Sequence, residues 1–548
     1  MRADRLLRAL LFLAPSVACA VLYLPTLSGG FLSDDYAVLG ALDAWHREGR
    51  LGGALLSKFV SGLDAPSNYY RPLSMLSFGA NFVVSGAAPY PWRLVNLLFH
   101  LASGALLFTI AHRLIDDRGG VTRMPWAAAV AATVFLLFPT SAEAVAWVSG
   151  RYDLMALFFS LLSVACFQRM ARWSDAWGWA SLAAAACAFA SKESAVLLPV
   201  FVTALAIARR SARPRGVLIG LIEASPWLAL AVAYFAARVA VFGNPFRVYA
   251  GTSPLDTVLS GDALRALSSV PAWLDAALSP AVARIAFLTA SAVLIVASAA
   301  RSLMRRATPE WLAVATTMLL SVALLLPHVS ALAPTGEQGR LFYAGSALFS
   351  LLVAYALSPV AGARPGFRTA TAVAVTLLLG AEAVLLRGNI TQWARAGSQV
   401  RTLALELPRL ALEIPPDGYG FVLVPDHLGS VPFAPNAQGG LVLPPSQPVP
   451  LSRRLIVQTP ADLPAWPDHI RRGLVGALRR FPLGSVWSAV GSGKAVIPMT
   501  PSNYYCWDAT NGKAEAIALP PALDSPWLDA WRGALANGPC SALLAELP

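Results

Sequence analysis

The sequence predicts an α-helical polytopic membrane protein of about eleven transmembrane helices, closed by a small C-terminal extracytoplasmic α/β domain. Three observations predict it. Of 548 residues, 56% are hydrophobic and only 13% charged, about half the charge of a soluble domain. The apolar residues gather into runs of roughly membrane-spanning length. The Lys and Arg residues fall in short clusters between alternate runs, the pattern that keeps basic loops on the inside. The net charge of +12 therefore reads as orientation of spans, and a nucleic-acid partner is set aside because no single amphipathic face carries the basic residues.

The first run, about 9–27, follows Arg2, Arg5 and Arg8. It is too long for the apolar core of a cleaved signal, and Ser16-Val17-Ala18-Cys19 is a poor lipidation site, so it reads as an uncleaved span with its N-terminus inside. Residues 28–92 form a long first outer loop rich in aromatic and charged residues, in which 71–85 is apolar enough for a helix along the membrane surface. Further runs follow at about 94–110, 125–139, 154–168, 176–190 and 195–208, the last ending in Arg209, Arg210, Arg213 and Arg215. The remaining runs lie at about 217–241, 281–300, 310–327, 341–359 and 369–386. Alternation puts the C-terminus outside.

From about Gly388 prolines become dense and apolar runs shorten. Gly420–Val424 and Arg454–Val457 read as strands bounded by Pro and Gly, and His469–Phe481 and Trp527–Ala536 as amphipathic helices. The chain thus divides into a transmembrane domain, 1–395, and a soluble domain, 396–548. Ser492-Gly493-Lys494 is not a phosphate loop, because the first glycine of that spacing is missing and Ala495 stands where a hydroxyl is needed. Cys19, Cys166 and Cys187 lie in apolar runs as packing residues, whereas Cys506 and Cys540 share the polar region, where an exported domain has room for a disulfide.

Chemistry concentrates at one set of span ends. Asp34 and Asp35 follow the first span; Glu143, Arg151 and Asp153 follow the third; Lys192 and Glu193 follow the fifth; Arg340 precedes the tenth. Orientation alone accounts for basic residues at the opposite ends, but not for acids and bases mixed here. The bland account is snorkelling and structural ion pairs. The sharper one is a site built between helices. Arg93, Asn96 and His100, spaced i, i+3, i+7, share one helix face and descend about two turns. They suit a water-filled cavity or an interhelical hydrogen-bond cluster. An adjacent pair of acids supplies a general base, and neighbouring cations stabilise a departing phosphate. A bare Asp-Asp pair also suits a helix cap or a divalent metal, but no further acid falls in a clear ligand spacing, so no metal site is assigned.

Six short stretches carry a family resemblance. They are Phe31-Leu32-Ser33-Asp34-Asp35-Tyr36, Tyr69-Tyr70-Arg71-Pro72-Leu73-Ser74, Arg93-Leu94-Val95-Asn96-Leu97-Leu98-Phe99-His100, Glu143 to Leu154 with Gly150-Arg151-Tyr152-Asp153, Ser191-Lys192-Glu193, and Arg340-Leu341-Phe342-Tyr343; Asn389 with Trp393 fits as well. In this order over about 31–395, they resemble the GT-C superfamily of polyprenyl-phosphate-sugar-dependent glycosyltransferases. The likeness is to protein O-mannosyltransferase-like members, including the membrane part of the tetratricopeptide-containing transmembrane mannosyltransferases. The expected setting is a bacterial inner membrane with the C-terminal domain periplasmic. The resemblance implies a GT-C-like topology with the active site on the periplasmic or lumenal face. It implies inverting transfer with Asp34 or Asp35 as base. It makes Arg71, Arg151, Lys192 and Arg340 candidates for the carrier phosphate, and Arg93, Asn96, His100, Glu143, Asp153, Glu193 and Tyr343 further substrate-binding residues. Two departures stand out. Relatives often carry His two residues before the matching Glu, where this chain has Ser141, and tetratricopeptide repeats are missing from the C-terminal region.

The expected function is transfer of a sugar from a polyprenyl-phosphate carrier to an extracytoplasmic acceptor, whether a protein hydroxyl, a lipid-linked glycan or an envelope polysaccharide. Two rivals are a lipid-linked sugar transporter and a non-catalytic envelope-assembly scaffold. A transporter predicts midplane charges and repeat-related broken helices, which the sequence does not display. Retention of both acids and their basic partners argues against a scaffold.

Overall fold

The computed structural model describes residues 2–55, 70–116, 125–242, 267–304, 309–357, 365–465, 503–519 and 527–547, apart from eleven positions within these stretches (212, 326–327, 330–331, 333, 417, 436, 453, 537 and 539). The expected helix at 469–481, the Ser492–Lys494 stretch, Tyr69 and the middle of the first outer loop lie outside the described residues.

Every expected apolar run is helical over most of its described residues. The helices are α1 (Arg2–Leu27), α4 (Pro89–Asp116), α5 (Pro125–Leu136), α7 (Arg151–Phe167), α8 (Ala176–Ser191), α9 (Leu197–Arg210), α10 (Gly216–Phe242), α11 (Ala281–Met304), α12 (Pro309–Ala323), α13 (Tyr343–Leu357) and α14 (Pro365–Glu413). Between them lie α2 (Asp35–Arg47) and α3 (Pro72–Ser85) in the first outer loop, and α6 (Ser141–Ala146) before α7. Among the described residues, seven helices are long and apolar enough to cross a membrane. This makes the chain a multi-pass membrane protein. The four shorter runs, α5, α8, α9 and α12, have 12–16 residues, and 12 residues of helix reach only about 18 Å of a hydrocarbon core about 30 Å thick.

The chain divides into two compact units, one of residues 1–24, 94–146 and 150–391, the other of residues 25–93, 147–149 and 392–548. In the first unit α7 packs on α8, α9 on α10 and α12, and α13 on α5, α11 and α12. Small residues set these seams. A Cβ on Gly220 of α10 would lie 2.6 Å from the Ile207 backbone of α9, and one on Gly104 of α4 would lie 2.9 Å from Leu136 of α5. Such contacts replace the hydrophobic drive that lipid removes. Eight of the twelve residues of α5 are fully buried Ala, Val, Phe or Leu or nearly so. Large apolar residues face outward instead, among them Val282 at 82%, Leu319 at 73% and Val232 at 69% exposure, as a lipid-facing surface requires. Glu382, inside α14, is fully buried and neither carboxylate oxygen has a hydrogen-bond partner among the described residues.

The second unit joins the first outer loop to the C-terminal module. The expected strands are present as β1 (Gly420–Leu423) and β2 (Leu455–Gln458), and the expected helix as α15 (Trp527–Ala536). The structure adds β3 (Asn503–Asp508) and β4 (Lys513–Ile517), giving the order β2-β1-β3-β4. Gly420 stands opposite both Leu455 and Asn503 in parallel pairing, while β3 and β4 form an antiparallel hairpin. A central parallel strand is buried on both faces, and all four residues of β1 are. Phe421, Leu423, Tyr504 and Cys506 pack with Trp531 and Leu535 of α15. Cys506 is disulfide-bonded to Cys540.

Candidate functional site

The acidic stretch lies in the second unit and is built by backbone contacts. A Cβ on Gly29 would fall 2.9 Å from Gly397 Cα, and one on Gly30 would fall 2.8 Å from Val400 Cγ1. Glycine is therefore what lets this strand of loop lie against the 397–401 part of α14, where the Gly30 N–H donates to the Gly397 carbonyl at 2.6 Å. The Arg93 guanidinium donates to the carbonyls of Gly29 and Gly30. Phe31 meets Trp92 edge to face at 5.7 Å, and Trp92 stacks on Phe78 of α3. Arg93, a candidate substrate ligand, is thus engaged in holding the loop.

The two acids then part company. Ser33 adopts φ +48°, a left-handed turn that a residue other than glycine rarely accepts, and it starts α2. Asp35 is 1% exposed. Its Oδ1 accepts from the Ser149 N–H at 2.9 Å and the Ser149 hydroxyl at 2.7 Å, and its Oδ2 accepts from the Leu32 N–H at 3.1 Å. The Trp147 indole donates to the Leu32 carbonyl at 3.2 Å. Burial pushes the Asp35 carboxyl up to about 6, while the Ser149 and Leu32 donors and the Arg93 charge hold it back from going higher. Asp34 is half-buried at the first position before α2 and its side chain does not cap that helix. Arg71, in the same unit, is buried immediately before Pro72 opens α3.

The first unit holds a second set, already paired. Arg340 Nη1 lies 3.2 Å from Glu143 Oε1, with side chains 12% and 8% exposed. Gly339 allows the approach, since a Cβ there would fall 2.9 Å from Thr140 Cβ, and the preceding Gln338 is left-handed at φ +69°. Burial raises the Glu143 carboxyl, Arg340 lowers it, and Glu337 raises it again. Lys192 Nζ lies 2.6 Å from Asp153 Oδ1. Glu193 opens a single helical turn just after it. The His328 ring is held below its ordinary range by burial and by the charge of Lys192, against the pull of Glu193.

The three residues on one face of α4 differ in employment. Asn96 Oδ1 accepts from Arg151 Nε at 2.8 Å, and Asn96 Nδ2 donates to the Val145 carbonyl. His100 bonds the Tyr343 hydroxyl at 2.8 Å and the Leu136 carbonyl at 3.2 Å, tying α4 to α13 and α5. His100, Tyr343, Asn96 and Arg151 are all buried. These bonds link α4 to α7 through Asn96 and Arg151, and to α13 and α5 through His100. Asn389 does similar work, donating to the Pro139 and Ala277 carbonyls.

Sequence reasoning did not single out Ser149, His328 or Glu337. Ser149 stands inside the Glu143 to Leu154 stretch, two residues before Arg151, and that was the available signal. His328 and Glu337 carried none. Among the described residues no group of three His, Cys, Asp or Glu side chains could hold a metal ion.

No family model matches the chain. It is similar to the protein O-mannosyl-transferase Tmtc2 of Drosophila melanogaster, 35% identical over 193 residues, which is 32% of this chain and 19% of that protein. It is similar to human TMTC2, also named a protein O-mannosyl-transferase, 32% identical over 193 residues, 34% of this chain and 22% of that protein. The chain spans about a fifth of the length of these curated relatives. Among solved structures, ArnT from Cupriavidus metallidurans bound to undecaprenyl phosphate aligns with 95% of this chain and 96% of its own, at 13% identity and a TM-score of 0.41. The likeness to O-mannosyl-transferases that the ordered motifs imply is therefore present over a third of the sequence.

Proposed function

We propose that this protein is a membrane glycosyltransferase of the GT-C type that takes a sugar from a polyprenyl-phosphate carrier and passes it to an acceptor hydroxyl outside the cytoplasm. The observation that carries the reading is the division of labour between Asp34 and Asp35. Three donors occupy the Asp35 carboxylate, so Asp35 fixes the loop, and Asp34, more open to solvent, is the base. The Asp34 carboxylate takes the proton from the acceptor O–H as that oxygen attacks the anomeric carbon. The bond from the anomeric carbon to the phosphate oxygen breaks, its electron pair leaves on the carrier phosphate, and the configuration inverts. Arg71, buried in the same unit as Asp34, is the candidate to receive that charge. The similarity to protein O-mannosyl-transferases supports the reaction class.

The Cys506–Cys540 bond supports a C-terminal module on the oxidising, periplasmic side of a bacterial inner membrane, with the N-terminus inside. A transfer assay on the purified protein tests the reading. A panel of polyprenyl-phosphate sugars, with candidate acceptors, is scored by free carrier phosphate in wild type, Asp34→Asn and Asp35→Asn. Release by wild type that Asp34→Asn abolishes supports it, and no release from any donor by folded protein overturns it.

A further inference from the structure

The C-terminal module reaches the acidic loop through an unbroken series of hydrogen bonds. The Glu546 Oε2 accepts from the Asp426 N–H at 2.6 Å. The Asp426 carbonyl accepts from the Phe433 N–H at 2.8 Å, and the Phe433 carbonyl accepts from the Ser33 N–H at 3.2 Å. The Ser33 hydroxyl donates to the Pro435 carbonyl at 2.8 Å. The segment between, Asp426 to Phe433, is a tight hairpin whose short ladder pairs His427 with Pro432. It is fixed from two further sides. Ser430 donates through its N–H and its hydroxyl to Gln392 Oε1, and the Ala461 N–H donates to Asp426 Oδ2. Glu546 ends a helical turn, Ser541–Glu546, that starts one residue after the disulfide-bonded Cys540. Gly440 presses on Tyr36, where a Cβ would fall 2.5 Å from Tyr36 Cβ.

These bonds converge on the strained residue of the loop. A serine at φ +48° keeps a sparsely populated conformation only when its surroundings dictate it. Here the two bonds from Ser33 to residues 433 and 435 do so. Ser33 is the residue before Asp34, so its dihedral angles decide where the Asp34 backbone sets off.

We propose that the C-terminal module is a positioning element for the acid of the transfer reaction: Glu546 holds the 426–433 hairpin, the hairpin holds Ser33 in its left-handed turn, and Ser33 aims Asp34. This rests on Asp34 as the base. Ser33 and Glu546 are positioning residues that touch no substrate. A far end of the chain, more than five hundred residues from the acids, thereby becomes part of the catalytic apparatus rather than an appended module.

The test compares Ser33→Ala, Glu546→Ala, Glu546→Gln and the Ser33→Ala/Glu546→Ala pair in the transfer assay, with melting temperatures recorded throughout. Loss of one net hydrogen bond corresponds to about 2–10-fold. Ser33→Ala and Glu546→Ala each lower kcat by about that factor with the donor KM unchanged. Glu546→Gln, whose amide oxygen still accepts from Asp426, restores wild-type kcat. The double variant loses little more than either single one, because both act on one series of contacts. Wild-type kcat in folded Ser33→Ala and Glu546→Ala overturns the proposal. So does strict additivity in the double variant, or no rescue by Gln, since either means two independent structural effects. Failure of the functional reading is separate: it shows as no transfer by wild type, or as an active Asp34→Asn.

Discussion

Asp35→Asn and Asp34→Asn differ by one residue number and by opposite consequences. In Asp35→Asn the amide oxygen can stay in the place of Oδ1 and keep both Ser149 donors, at 2.9 and 2.7 Å. The amide nitrogen then replaces Oδ2, where the Leu32 N–H now donates at 3.1 Å, and a donor faces a donor. Leu32 and Asp35 are both buried, so no water relieves the pair. Leaving one buried N–H unsatisfied costs about 1–3 kcal/mol, and this variant melts earlier while its folded fraction stays active. Because Asp34 is only half-buried, Asp34→Asn, which keeps the shape of the side chain, lowers the melting temperature less than Asp35→Asn does. It loses about 10²–10⁴ in kcat, the range that a general base supplies. The assay is carrier-phosphate release alongside thermal melting of the detergent-purified protein. An active Asp34→Asn together with an inactive, normally melting Asp35→Asn would refute the reasoning, because the enclosed acid would then be the base.

Four further outcomes follow from the same geometry. Glu143→Ala removes the carboxylate 3.2 Å from the enclosed Arg340 and leaves Glu337 as the nearby acid, a loss of up to about 3–5 kcal/mol; the double variant with Arg340→Ala recovers part of the melting temperature, and a double-mutant cycle measures the coupling. Glu382→Leu raises the melting temperature, because it replaces an unpartnered enclosed carboxyl with an apolar side chain; a lower melting temperature would reveal a partner beyond the described residues. Asp35 and Glu546 are raised to about 6 and about 7 by burial. The native state therefore holds their protons more tightly than the unfolded chain, and their contribution to stability is full below about pH 4 and lost as pH rises to about 7. Asp508, held low by Thr510 and Asn511 against the effect of burial, contributes in the opposite sense at more acidic pH. The shifted Glu143 and His328 also contribute between about pH 4.5 and 7.5, so the Glu546 part is read as the difference from Glu546→Gln, which flattens the upper half of the curve. Reduction of the Cys506–Cys540 bond, which closes a separation of 34 residues, removes about 4 kcal/mol of chain-entropy stabilisation, seen as earlier melting of the reduced protein.

The helices were legible because their signal is local. Apolar runs with basic ends announce spans one at a time, and even the short, Ala-rich α5 and α8 stood out between their flanking charges. β1, β2 and α15 were legible for the same reason, from Pro and Gly boundaries and from helical spacing. β3 was not: Asn503-Tyr504-Tyr505-Cys506-Trp507-Asp508 has the aromatic content of a strand but no alternation, since five of its six residues are buried. The candidate site was legible as a set of residue types and illegible as a set of partners. Nothing in the pair Asp34-Asp35 distinguishes the two acids. Ser149, 114 residues away, makes the distinction, and only the fold brings it there. His100 and Tyr343 read equally well as ligands or as struts until α13 is placed against α4, 243 residues on.

The small-residue seams of the membrane helices impose a pattern on how this sequence can vary. On outward positions such as Val282, Val232 and Leu319 any lipid-soluble side chain serves, and random change among Val, Ile, Leu and Phe costs little. At Gly104 and Gly220 a single added methyl meets a neighbouring helix. A saturation-mutagenesis map would therefore be inverted relative to a soluble enzyme. The surface positions would be apolar yet permissive, and the glycine seams between helices would be defined by smallness rather than by hydrophobicity.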